Sequence, residues 1–346
     1  MVRVTPSTTP TQPLWTLSQE NLQAWMAAEG HPPYRASQVW QWVWEKGVSD
    51  FSQMSNLPAA LRQALAEAFP VPELQLLHER KSQDGTRKFL WQLPEGGTVE
   101  TVWIPHQDRA TVCVSSQVGC SLNCRFCATG QLGLERQLQG YEILLQVYTL
   151  KHRLRLPVTH IVYMGMGEPL LNYSAVIESL EGFSQKMGLS PRRITISTVG
   201  IPKGIRRLAE RKEPFELAFS LHSAIPEKRQ KLIPLAAHIS LEEVREALIT
   251  YGQTRQEWVT LEYVLLAGEN DGPEDAEALR AFIAPPLQAK VNLIVYNPVP
   301  GLPFRPSPRL KAFQQALLRM GIITTIRYSR GADVAAGCGQ LARQTG

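Results

Sequence analysis

Three cysteines in one loop constrain this chain more than any other feature. Cys120, Cys124 and Cys127 are spaced C-x3-C-x2-C inside the run Cys113-Val-Ser-Ser-Gln-Val-Gly-Cys-Ser-Leu-Asn-Cys-Arg-Phe-Cys-Ala-Thr-Gly-Gln-Leu-Gly133. Thiolates grouped on a glycine-bearing loop point to an iron–sulfur cluster, and a cubane normally takes four ligands. With three from the protein, one iron keeps an open position where a cofactor or substrate binds. Phe126, between two ligands, shields such a cluster from water and influences its potential. Two other readings stay open. A structural zinc site wants a second ligand pair at matching spacing, and no other C-x2-C or H-x3-H occurs in the chain. A thioredoxin-like redox pair at Cys124 and Cys127 leaves Cys120 without a task. Five cysteines are an odd number, unpromising for a disulfide framework, and an oxygen-sensitive cluster needs a reducing compartment such as the cytoplasm.

A chain of 346 residues exceeds one average domain, and a barrel-like α/β unit of about 200–250 residues plus a smaller module is the natural division. Hydrophobic content of 44% with 19% charged residues fits a globular protein, and no apolar run approaches the ~20 residues of a membrane span. Residues 1–13, rich in Thr and Pro and without the apolar stretch of a secretory signal, are expected to be a disordered tail. Residues 14–70 read as a helical accessory domain. Ser18 caps a first helix with apolar positions at Leu22, Trp25 and Met26, a second runs through Val39 and Val43, and Pro58 opens a third. Trp40, Trp42 and Trp44 read as core packing, with contact to RNA by this module as the sharper alternative.

Residues 71–105 form a small β extension, with strands at 74–79, 87–92 and 99–104 separated by Asp84-Gly85 and Glu95-Gly96-Gly97 turns. It carries Glu100, which as a strand carboxylate reads first as a solvated charge. From residue 106 to 346 strands and helices alternate, with strands expected at 111–116, 158–164, 193–198, 215–221, 259–266, 291–296 and 322–328. That alternation implies an α/β fold with a parallel sheet and right-handed crossovers, and in such barrels chemistry gathers at the C-terminal strand ends. The notable residues fall there: the cysteine loop, Gly165-Met-Gly167-Glu168-Pro169, Ser197, Ser220-Leu221-His222 and Asn297-Pro298. Glu168 can receive a cofactor's ammonium group. His222 is either a satisfied packing histidine or a cofactor contact. Basic residues cluster at Lys151-His-Arg153-Leu-Arg155, Arg192-Arg193, 203–212 and Lys228-Arg229-Gln-Lys231; they are solvated faces unless several share one side, where they would bind phosphate. A net charge of +5 permits a polyanionic partner.

Cys113 and Cys338 remain. A buried inert thiol is the plain reading of either, but a Cys between glycines near Arg327 and Arg330 is better read as mobile and reactive. With these two the motifs are complete. The C-x3-C-x2-C run with an aromatic before its last Cys resembles the radical S-adenosylmethionine (SAM) signature. Val99-Glu100-Thr101, the run 113–127, Met164-Gly-Met-Gly-Glu168-Pro-Leu-Leu-Asn172, Ile196-Ser197-Thr198, Ser220-Leu-His222, Tyr296-Asn297-Pro298 and Gly337-Cys338-Gly339-Gln340 together resemble the RlmN-type adenine methyltransferases of 23S rRNA and tRNA, with the related Cfr methylases behind them. The N-terminal helices resemble that family's accessory module only loosely.

The resemblance implies a radical SAM partial (β/α)6-type barrel with a small N-terminal helical domain. It implies a [4Fe-4S] cluster on Cys120, Cys124 and Cys127, and SAM, two per turnover, in a pocket of Gly167, Glu168, Ser197, Ser220, Leu221, His222 and Asn297. One SAM methylates Cys338; the second yields a 5′-deoxyadenosyl radical that takes hydrogen from that methyl, and the methylene radical adds to carbon 2 of adenine. Glu100 is then the general base, and Cys113 resolves the protein–RNA adduct through a transient disulfide with Cys338. The implied partners are 23S rRNA, tRNA and a flavodoxin-like electron donor, with no membrane, for a cytoplasmic monomer. Methylation at carbon 8, a radical SAM enzyme acting on a non-RNA substrate, and a non-catalytic iron–sulfur RNA-binding protein are the alternatives.

Overall fold

Apolar residues spaced three and four apart produce the expected helices at the start of the chain. A computed structural model describes residues 12–342; the expected disordered tail lies, but for residues 12 and 13, outside the described residues. One compact unit holds the chain up to Leu74 together with Tyr148–Leu156. Its helices are α1 (Gln19–Ala28), α2 (Arg35–Trp40) and α3 (Ala59–Ala68). Ser18 caps α1 by accepting from the Asn21 amide at 3.1 Å, and Pro58 stands at the N-cap of α3. Trp15, Trp44 and Tyr148 pack with ring centroids 4.7–5.7 Å apart. Of the three tryptophans expected in the core only Trp44 is fully buried. Residues two apart on a helix cannot face the same way, so Trp42 turns outward and lays its ring under the Lys46 ammonium at 3.7 Å.

The second unit comprises Gln75–Val147 and the chain from Pro157 onward. Its strands are β1 (Gln75–Lys81), β2 (Arg87–Gln92), β3 (Thr98–His106), β4 (Arg109–Cys113), β5 (Gln117–Gly119), β6 (Leu134–Gln137), β7 (His160–Tyr163), β8 (Ile194–Thr198), β9 (Glu216–Ser220), β10 (Val259–Leu265), β11 (Ala289–Val295) and β12 (Thr324–Arg327). Ten of them make one sheet in the order β1-β2-β3-β4-β7-β8-β9-β10-β11-β12. From β4 to β12 every pairing is parallel, and the connections carry α4 (Gly140–Tyr148), α5 (Tyr173–Glu181), α6 (Pro202–Ala209), α7 (Pro226–Leu232), α8 (Leu241–Arg255), α9 (Pro273–Ile283) and α10 (Leu310–Arg319). Parallel neighbours need such crossovers, and strands covered on both faces read as the apolar runs seen in the sequence. The open α/β sheet is the expected partial barrel. Strands β1–β3 continue it antiparallel. The antiparallel pair β5–β6 was not anticipated, because strands of three and four residues are too short to show an alternation. Among the described residues no helix is long and apolar enough to cross a membrane.

Candidate active site

The cysteine loop is pinched between β5 and β6. Cys120 N donates to Gly133 O at 2.8 Å, and Gly119 sits at φ 81°, where a Cβ would come 1.9 Å from that same carbonyl. No side chain fits there. Further along, Arg125 N donates to Leu232 O at 2.9 Å and Ala128 N to Gly339 O at 2.7 Å, while Thr129 Oγ1 donates to Leu341 O at 2.6 Å. The loop is thus tied to the end of α7 and to the segment bearing Cys338. Cys120 and Cys124 are buried in an apolar cluster with Leu122, Phe126, Val264 and Ile294, and Cys127 packs against it. Burial pushes all three thiols up, Cys120 to about 12. Thiols in such surroundings lose their protons only to a metal centre. Among the described residues no three Cys, His, Asp or Glu side chains converge on one point as a single ion requires; a cubane takes each thiolate at a separate iron. Three soft donors in a dry pocket suit iron–sulfur ligation.

Beside the loop, a cavity of about 160 Å³ opens at the C-terminal ends of the parallel strands. Cys124 and Cys127 line it together with Gly167, Glu168, Ser197, Ser220 and His222. Glu168 is buried, and burial raises its carboxyl to about 6 against the pull of its hydrogen bonds. Its Oε1 accepts from Leu170 N at 3.0 Å and its Oε2 from Val199 N at 2.9 Å, and the Thr198 side chain adds a third bond; of the carboxylate's four lone-pair sites one is left for another donor. His222 Nδ1 accepts from Val264 N at 3.0 Å, leaving the proton on Nε2, and burial lowers this imidazole to about 3, so it is neutral. Its ring meets Phe126 edge-on at 5.0 Å. The Ser197 and Ser220 hydroxyls lie 3.3 Å apart.

Two expected pocket residues sit elsewhere. Leu221 is buried behind the cavity, and it is its carbonyl that is engaged, by Arg229. Asn297 Nδ2 donates to Cys338 O at 3.1 Å and to Ser329 Oγ at 2.8 Å, clamping the Cys338 segment.

A second cavity, about 700 Å³, shares Met164 and Cys338 with the first. Cys113, at the end of β4, lines it with Arg109, Arg327, Tyr328 and Arg330. Burial pushes the Cys113 thiol up to about 12; the nearby Cys338 adds to this and Arg327 opposes it. Both cysteines are free thiols. Arg327 Nη1 donates to Met164 Sδ at 3.4 Å and stands 3.9 Å from Glu262 Oε1.

Glu100 corrects the expectation of a solvated charge. It is fully buried on β3, 2.9 Å from the Lys88 ammonium, and its Oε2 accepts from Ala342 N at 2.8 Å. Lys88 reaches it because β2 and β3 pair Leu90 with Glu100, which makes Lys88 the diagonal neighbour on the same face. Glu100 lies on the wall of neither cavity, but its amide bond partner is four residues beyond Cys338. Sequence reasoning missed Ser115, Gln117 and Gln146 as site supports. Gln117 Oε1 accepts from Glu168 N at 2.8 Å, Ser115 Oγ accepts from Met166 N at 2.9 Å, and Gln146 Oε1 accepts from Ser115 N at 2.9 Å. The signal for Ser115 and Gln117 was the polar Ser-Ser-Gln inside an apolar strand continuation; Gln146, on α4, is a lone polar residue in an apolar helix stretch.

Three thiols, two of them buried, on a loop at the strand ends of an open parallel α/β sheet define a radical SAM enzyme, and residues 114–282 match the Radical SAM superfamily. Residues 13–71 match the N-terminal domain of ribosomal RNA large subunit methyltransferases. The chain is 44% identical over 337 residues to the probable dual-specificity RNA methyltransferase RlmN of Gloeobacter violaceus, covering 97% of this chain and 96% of that one. It is 46% identical over 316 residues to the protein of the same description from Thermus thermophilus, 89% of each. A solved radical SAM methyltransferase from Sphaerobacter thermophilus superposes with a TM-score of 0.91 at 39% identity, covering 96% of this chain and all of that one. The chain belongs to the RlmN family of radical SAM RNA methyltransferases. Membership brings the superfamily's [4Fe-4S] cluster and SAM.

Proposed function

We propose that the protein methylates carbon 2 of an adenine in 23S rRNA, and in tRNA, with Cys338 carrying the methyl group. The observation behind this reading is the place of Cys338 on the wall common to two cavities, one beside the cluster cysteines and Glu168, the other beside Cys113 and the arginines. A thiol on that partition can take a methyl from SAM on one side and present it to a base on the other. The amidine carbon of adenine is too poor a nucleophile for direct methyl transfer, which favours a covalent carrier. Cys120, Cys124 and Cys127 would hold the cluster, which would supply the electron for reductive cleavage of SAM.

Around it this chain's residues bind and orient. Glu168 accepts from the SAM ammonium, while Gly167, Ser197, Ser220 and His222 shape the pocket. Gly167 at φ 101° brings its backbone against Gln117, where a Cβ would stand 2.6 Å from the Gln117 side chain. Leu221 and Asn297 serve by holding Arg229 and the Cys338 segment. Glu100 takes the proton from the captured adenine once the Cys338 segment moves and its Ala342 bond opens. Once the adduct has given up its unpaired electron, the Cys113 thiolate attacks the Cys338 sulfur: the S–S bond forms as the S–C bond to the adenine methylene breaks, and the released carbon takes up a proton to become the methyl group. Two SAM per turnover follow, one for the methyl and one for the radical. A flavodoxin-like donor, a monomeric state and a reducing cytoplasm complete the proposal. Mass spectrometry of adenines in RNA from a strain lacking the enzyme tests it; loss of 2-methyladenine is expected, and loss of 8-methyladenine would favour the Cfr-like alternative.

Glu168→Gln should weaken SAM binding to the reconstituted enzyme about 10–100-fold, the worth of a hydrogen bond to a charged group, with iron content unchanged. Equal affinities by calorimetry would remove Glu168 from the ammonium site. For RNA, the exposed ring of Tyr328 beside Arg109 and Arg330 suits a stacked base flanked by phosphates. Tyr328→Ala should cost about 1–3 kcal/mol of RNA binding and leave SAM binding intact; an unchanged RNA affinity in filter binding would move the base elsewhere. We assign residues 14–70 to RNA contact too. Crosslinks from bound RNA to that module of the full chain would show it, and their absence would reduce it to a structural domain.

A further inference from the structure

Arg229, on α7, is a cation in an unexpected place. Only 2% of it is exposed, and its guanidinium finds no carboxylate among the described residues. Nε donates to Leu221 O at 3.1 Å, and Nη2 donates to Val199 O at 2.6 Å and Ser220 O at 3.4 Å. The guanidinium carbon stands 5.3 Å from the centre of the Phe219 ring. Burial draws its pKa down to about 10, which leaves it charged at neutral pH. A desolvated cation without a counter-charge is costly. It is held beside the cysteine loop: Val199, whose carbonyl it engages, and Leu232, three residues on along α7, pack in one apolar cluster with Cys120 and Cys124. Helix α7 is fastened to that loop through Leu232 O and Arg125 N, 2.9 Å apart; a Cys124 thiolate there favours the guanidinium.

We propose that Arg229 is a positioning residue that supplies the buried counter-charge of the iron–sulfur cluster and raises its reduction potential. This rests on the cluster sitting on Cys120, Cys124 and Cys127. Adding one electron makes the cluster more negative, so a fixed cation beside one of its ligands favours the reduced form; charge and hydrogen bonding near the sulfurs are the protein's levers on such potentials. The bonds to the carbonyls of residues 199, 220 and 221 hold that charge in place from behind the SAM cavity.

The test is an anaerobic redox titration of the reconstituted holoenzyme without SAM, followed by the EPR signal of the reduced cluster. Arg229→Gln and Arg229→Met remove the charge, and Arg229→Lys keeps it. At a fixed potential the oxidised-to-reduced ratio should rise at least tenfold in a neutral variant that retains its iron, a 59 mV fall for a one-electron couple, and stay within twofold in Arg229→Lys. A neutral variant with full iron and an unchanged ratio overturns the proposal. Should neither neutral variant hold a cluster, loading of Arg229→Lys at the wild-type potential supports the charge, and failure of Arg229→Lys as well assigns Arg229 to packing. Wild-type protein that binds no cluster would instead sink the ligand assignment itself.

Discussion

Cys124→Ala, purified and reconstituted without oxygen, is expected to lack the brown iron–sulfur absorbance and the roughly four irons of the parent protein, and to cleave no SAM. Two thiolates cannot hold a cubane that has only three ligands from the chain. The fold should survive, because the loop base is closed by Cys120 N to Gly133 O and by the tight fit at Gly119, neither of which involves the Cys124 side chain. The C-terminal segment should loosen. Ala128 and Thr129 hold Gly339 and Leu341 through the same loop, so faster amide exchange at 337–342 should accompany loss of the cluster. Zinc in place of iron, with SAM cleavage intact, would end the iron–sulfur reading.

What the sequence revealed and what it hid follow from periodicity. The parallel strands were legible because each is an apolar run bounded by a turn signal, and the residues at their ends, Glu168, Ser197, Ser220 and His222, came with them into one cavity. Side-chain direction beyond the strand ends was not legible. Leu221 and Asn297 are adjacent in sequence to pocket positions, yet one supplies a carbonyl to Arg229 and the other clamps Cys338. The basic run Lys228-Arg229-Gln-Lys231 reads as one solvated face, but a helix turns about 100° per residue. Lys228 therefore stays half-exposed and pairs with the exposed Glu274 at 3.0 Å as well as with Asp275 at 2.7 Å, while Arg229 next to it points into the protein. Glu100 was misjudged for a related reason. Its burial depends on β2 and β3 joining a sheet covered on both sides, and on a register that brings Lys88 diagonally opposite; neither is visible in a nine-residue strand.

Cys338 and Cys113 should fail differently when replaced. Cys338→Ala removes the proposed carrier, so it should transfer no methyl and form no RNA adduct, with cluster and SAM binding preserved. Cys113→Ala acts after capture of the adenine and should stall with RNA covalently attached through Cys338. For the base, Glu100→Gln is the cleaner variant than Glu100→Ala. The amide oxygen still accepts from the Lys88 ammonium and only the Ala342 N bond, made by the other carboxylate oxygen, is lost, whereas Ala would leave Lys88 buried with neither oxygen at a cost of about 3–5 kcal/mol. Glu100→Gln should stall with the same adduct, because the proton cannot leave. A mere packing role for Cys113, which is buried at the end of β4, predicts something else: stability lower by about 1 kcal/mol and proportionally lower activity, with no trapped species. Denaturing gels of each variant purified from cells, with and without nuclease, separate these outcomes. A nuclease-sensitive slow band in Cys113→Ala and Glu100→Gln, absent from Cys338→Ala, is the expected pattern. Normal methylation by Cys113→Ala without that band would assign Cys113 to packing, and its place with Cys338 on the wall of the second cavity would then serve substrate shape alone.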